Sequence, residues 1–154
     1  MAKSEAKRTV LLVIALLCAG ILVIVFLGFG PPNLLAKSNT PFYCSSCHVM
    51  QSQYEAWLHS GQHRRMLCVD CHLPHENIFL HYTWKALDGF KDMVVFYSGT
   101  VPERITISSH GEKVLQANCI RCHELAVSMI DRERKCWECH KRITHQLTGT
   151  IINL

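Results

Sequence analysis

The sequence predicts a mainly α-helical chain with much irregular structure, no sheet and one membrane-spanning helix. Three observations predict it. Positions 9–30 read TVLLVIALLCAGILVIVFLGFG, an uncharged run of 22 residues. Cys-x-x-Cys-His then occurs four times: Cys44–His48, Cys68–His72, Cys119–His123 and Cys136–His140. The chain beyond the run is also too short to build much apolar core of its own around four such sites.

The apolar run comes first in the chain. As a helix at about 1.5 Å per residue, 22 residues reach ~33 Å, enough for a hydrocarbon core of about 30 Å. Residues 1–8 form a tail in which Lys3, Lys7 and Arg8 outweigh Glu5. The positive-inside rule places that tail in the cytoplasm and residues 31–154 in the periplasm, in a single-pass protein of a bacterial inner membrane. A cleaved secretion signal is the rival reading. The run is longer than the usual ~7 to 15 residues of a signal, and Pro31-Pro32 comes directly after it, so the segment is expected to stay as an anchor. Cys18, the one cysteine outside the motifs, reads as a small apolar residue of this helix. The net charge of +4 is too modest to argue for a nucleic-acid partner.

The four motifs come next. Ten of 154 residues are His, so chance would place His after a given Cys-x-x-Cys roughly 6% of the time, and after all four about twice in 100,000. The spacing has a chemical reason. Two cysteines three apart can form thioether bonds to one porphyrin while the adjacent imidazole reaches the iron. The motifs therefore predict four covalently bound haem c groups, attached through Cys44 and Cys47, Cys68 and Cys71, Cys119 and Cys122, and Cys136 and Cys139. His48, His72, His123 and His140 are the candidate iron ligands. Zinc ribbons would use the cysteines but leave the repeated histidine unexplained. Disulfides within such tight pairs would close only trivial loops. With haem supplying most of the buried apolar mass, the remainder of the domain should be short helices and loops.

The motif starts are 24, 51 and 17 residues apart, so the long second gap must hold an element of its own. Residues 77–99 fit an amphipathic helix, with Leu80, Trp84, Leu87, Phe90 and Val94 recurring at threes and fours and Gly89 as a weak point. His81, Lys85, Asp88 and Asp92 share a second face. By periodicity alone that polar face is a solvated one, with an ordinary Lys85–Asp88 pair. Residues 104–110 and 130–135 read as loop or helix surface.

The single N-terminal anchor, the four motifs, CxxCHxM as the first, CVDCHLPH as the second and a His five residues beyond the last together resemble the NapC/NirT family of membrane-bound quinol dehydrogenases. The nearest match is its small tetrahaem branch, which anchors and feeds periplasmic cytochrome c nitrite reductase. The resemblance implies that menaquinol is oxidised beside the first haem, with Asp92 as proton acceptor and Lys85 orienting the quinol hydroxyl. It implies that Met50 takes the first iron and displaces His48, whereas the motif alone favours His48. A thioether ligand would raise that haem's potential. It implies further that His63 and His145 occupy distal-ligand positions, and that a partner reductase subunit could supply one ligand more. His75 reads as a neighbouring or surface group, and His59 and His110 as spare. The alternatives are a membrane-tethered electron carrier without a quinol site, with all four irons six-coordinate, and a gas-binding haem sensor.

Overall fold

A computed structural model describes residues 2–143 and His145, and the side chains from residue 5 onward. Met1, Thr144 and residues 146–154, the end of the expected periplasmic domain, lie outside the described residues. The described chain is helical and holds no strand, as the composition and spacing predicted. It divides into two units, Met1–Tyr43 and Cys44–Leu154.

In the first unit, α1 (Ala2–Phe29) begins earlier than the expected residue 9, because Glu5, Lys7 and Arg8 continue the helix into the tail. Residues Glu5–Phe29 are long and apolar enough to cross a membrane. The helix closes at Gly30, whose N–H donates to the Phe26 carbonyl at 2.7 Å. A Cβ at Gly30 would stand 2.4 Å from that carbonyl oxygen and 2.9 Å from the Phe26 ring, so only glycine fits. Pro31 and Pro32 cannot prolong the helix. Asn33, left-handed at φ 41°, caps the one-turn α2 (Leu34–Lys37) by accepting from the Ala36 N–H.

The second unit strings short helices between the motifs. The chain passes from α3 (Pro41–Ser45) through a 3₁₀ turn, His48–Met50, into α4 (Gln51–Leu58). A second 3₁₀ turn, Gly61–Arg65, precedes α5 (Cys68–His72). The long helix α6 (Ile78–Tyr97) fills the large gap within two residues of the expected bounds. Asn77 starts it by accepting from the Phe79 N–H. Gly99 ends it at φ 70°, with its N–H on the Phe96 carbonyl and that of Thr100 on the Val95 carbonyl, the paired closure a left-handed glycine permits. Then come α7 (Ser109–His123), capped by Ser108, and α8 (Cys136–Cys139). Gly89 does not interrupt α6.

The facing of α6 corrects the sequence reading. Leu80, Leu87, Phe90 and Val94, expected to pack inward, are exposed, Phe90 by 69%. His81, Lys85 and Asp88, expected to be solvated, lie on the half-buried side with Trp84, Val95 and Phe96. Periodicity distinguishes the two faces but not which one turns inward. Specific partners decide it: His81 Nδ1 donates to the Pro74 carbonyl at 2.9 Å, Trp84 stacks on His110 with ring centres 3.5 Å apart, and Phe96 meets the His48 ring edge-on at 5.5 Å. The apolar protein core is as slight as expected. Among the described residues, Ala56, Leu73 and Pro74 are the buried apolar side chains.

Candidate functional site

All four motifs sit on or beside a helix, so each pair of cysteines is held about one turn apart. The sulfur atoms also meet across motifs. As free thiols, Cys44 and Cys68 stand close enough to interact, which holds the Cys44 thiol down at about 7 and pushes its partner up. Burial pushes Cys119 up to about 12, with Cys136 beside it and Cys71 and Cys122 adding smaller repulsions. The attachment sites are thereby neighbours in chain order: first with second, second with third, third with fourth. Among the described residues, no three His, Cys, Asp or Glu side chains converge as a protein-only metal site would require.

The imidazoles meet in pairs. His63 faces His123 with ring centres 6.0 Å apart. His72 faces His145 at 5.9 Å, with planes only 21° from parallel. An iron bound on both faces by imidazole nitrogens, each about 2 Å away, separates the two ring centres by roughly 6 Å. The residues present therefore fit haem at these two motifs. Local structure sets the pairs up. The Trp57 indole N–H donates to the His63 carbonyl at 3.2 Å and to the Met66 carbonyl at 3.1 Å, clipping the turn that carries His63. His145 takes a left-handed φ of 52°, and burial lowers its pKa. No ring contact to His140 occurs among the described residues.

His48 and Met50 share the 3₁₀ turn. At three residues per turn, side chains two apart point in directions about 120° different, so one group under a tethered porphyrin excludes the other. His48 is exposed and packed edge-on against Phe96. Met50 is half-buried.

Lys85 and Asp92 lie two turns apart on the inner side of α6. Lys85 is half-buried and close enough to Cys44 to interact with it electrostatically. Burial lowers the Lys85 pKa, and the Cys44 sulfur opposes that shift. Asp92 stands at the exposed edge of the same face. Partial burial raises its pKa above the usual carboxylate range, with Lys91 opposing and Asp88 reinforcing the shift. A shallow apolar groove of about 520 Å³, lined by Phe79, Tyr82, Ala86 and Leu87 among others, opens on the outer side of α6 and includes neither residue.

The remaining histidines stand apart from these pairs. His75 Nε2 lies 3.3 Å from the Val69 carbonyl oxygen, His59 is exposed, and His110 is half-buried against Trp84. Sequence reasoning missed Trp57, Gln116 and Asn118. Their partners lie in other segments, and nothing in the local pattern marks them.

One apolar helix of spanning length, four Cys-x-x-Cys-His segments gathered on short helices, and imidazoles paired at iron-spanning distance define a membrane-anchored multihaem cytochrome c. The family model for the N-terminal region of the NapC/NirT cytochrome c family matches residues 4–127, and the chain belongs to that family. It is 39% identical to the cytochrome c-type protein NrfH of Wolinella succinogenes, over 84% of each chain. It is 29% identical to the cytochrome c nitrite reductase subunit NrfH of Nitratidesulfovibrio vulgaris, over 82% of this chain and 77% of that one. A chain in the crystal structure of the cytochrome c nitrite reductase NrfHA complex bound to the HQNO inhibitor superposes with a TM-score of 0.69 at 26% identity. The match covers 91% of this chain and 94% of that one.

Proposed function

We propose that the protein oxidises menaquinol at the periplasmic face of the inner membrane and passes the electrons to a periplasmic cytochrome c nitrite reductase subunit. The observation that carries this reading is the inner face of α6, which sets Lys85 against the first haem motif and places Asp92, with its raised pKa, two turns away. Haem c, when bound, supplies the one-electron redox chemistry. Quinol oxidation releases two protons with its two electrons. The Asp92 carboxylate accepts a proton from the quinol hydroxyl, and a pKa above the ordinary carboxylate value suits a base working near neutral pH. The Lys85 ammonium steadies the negative charge that develops on the quinol oxygen.

Met50 would hold the first iron, with His48 drawn aside onto Phe96. His72 with His145, and His123 with His63, would hold the second and third haems. His140 would hold the fourth, where a reductase subunit would supply a further ligand. Residues 1–8 face the cytoplasm, residues 9–30 span the bilayer and residues 31–154 lie in the periplasm.

The test is anaerobic mixing of the detergent-solubilised protein with a menaquinol analogue while haem absorbance is followed, for the natural chain and Asp92→Asn. Rapid reduction should fall by at least ~100-fold in the variant, the lower range of what a positioned base contributes. A natural protein that dithionite reduces but quinol does not would replace this reading with that of a tethered carrier.

A further inference from the structure

Helix α7 ends in the third motif, and two side-chain amides lie just before it. Gln116 and Asn118 are two residues apart, about 200° around the helix, so they reach in opposite directions. Asn118 is 6% exposed, the one buried polar side chain among the described residues. Its Nδ2 donates to the carbonyls of Cys71 and Leu73, both at 2.9 Å. Its Oδ1 accepts from Arg121 Nε at 3.3 Å, and Arg121 in turn donates from Nη2 to the Asp70 carbonyl at 3.3 Å. The end of the second motif is thus held at three carbonyls, those of Asp70, Cys71 and Leu73, by two side chains of the third motif's helix.

Gln116 does the same on the other side. Its Nε2 donates to the Arg132 and Arg134 carbonyls at 3.0 and 2.9 Å. Its Oε1 accepts from the Cys136 N–H at 3.2 Å, at the first residue of the fourth motif. A 2.8 Å ion pair, Lys135 with Glu112, lies on the same join. Each amide spends two donors on backbone carbonyls and its oxygen on one acceptor bond, a combination that a carboxylate, having no donor, cannot supply. A buried amide left without those partners is costly, so the contacts hold their geometry. With so little apolar core, these are specific ties by which one motif is held to the next.

We propose that Asn118 and Gln116 are positioning residues that fix the second and fourth haem sites relative to the third, and so govern electron exchange across the two joins. The inference rests on haem being bound at the motifs and not on quinol being the donor. Each exchange removes one electron from a ferrous haem and reduces the neighbouring ferric haem. No bond is made and no proton moves.

The full-length holoprotein in detergent tests this, as Asn118→Leu, Gln116→Met and the natural chain. Haem content and iron ligation are checked first by absorption spectroscopy. Magnetic coupling between haems is then read by electron paramagnetic resonance, and inter-haem equilibration is followed after flash injection of one electron from a free photoexcited ruthenium complex. Asn118→Leu should keep four haems and unchanged axial ligands, yet alter the coupling of the second and third haems and slow equilibration across that join severalfold, because electron exchange falls steeply with the distance between haems. Gln116→Met should do so only between the third and fourth. Unchanged coupling and rates in fully loaded variants overturn the proposal. Should Asn118→Leu not accumulate with four haems, Gln116→Met decides alone: a change confined to its own join upholds the proposal, and none overturns it.

Discussion

His72 and His145 have ring centres 5.9 Å apart and planes 21° from parallel. Two imidazoles that hold one iron between their nitrogens would stand at about that separation, and His63 with His123 stands at 6.0 Å.

Removing either distal group should therefore open one iron each. His63→Ala and His145→Ala are expected to keep four covalent haems and to convert one low-spin haem apiece to high spin. Magnetic circular dichroism counts the low-spin centres. Two single variants that retain the full low-spin count would overturn the pairing.

Met50 and His48 separate cleanly by spectroscopy. Met50→Ala should abolish the thioether-to-iron charge-transfer band of the oxidised protein and lower the potential of the first haem, since loss of the thioether removes the ligand that raises it. His48→Ala should leave the band in place. The reverse pattern would assign the iron to His48.

On the proposed reading, Asp92 sets the pH dependence of quinol oxidation. Its raised pKa means the accepting carboxylate exists only above that value. Activity should rise with pH through a midpoint higher than an ordinary carboxyl gives, and be lost on acidification. Stability runs the other way, because folding favours the protonated form and this contribution fades as pH rises through the folded pKa. Asp92→Asn should flatten both. Steady-state rates and thermal melts from about pH 4 to 8 span the ordinary carboxyl value and the range above it.

Trp57→Phe keeps the ring and removes the N–H shared by the His63 and Met66 carbonyls. The loss should cost about 1 kcal/mol, the net value of one such hydrogen bond. It should also broaden the signal of the haem that His63 serves, as the clipped turn loosens. A melting temperature and spectrum identical to the natural protein's would show that the clip is idle.

Local chemistry alone determined much of this protein. A 22-residue uncharged run, cysteines three apart with an adjacent histidine, and apolar residues at helical spacing each encode their outcome within a turn or a few turns of chain. The apolar helix, the four motifs and the extent of α6 were legible for that reason. Resemblance of motifs added Met50, His63, His145, Lys85 and Asp92 as candidates, without saying which imidazole faces which. Tertiary structure alone decided that His63 meets His123 and His145 meets His72, that α6 turns its polar side inward, and that Gln116 and Asn118 tie three motifs together. These outcomes join segments far apart in the chain, where hydrogen-bond partners and packing, rather than periodicity, choose the arrangement.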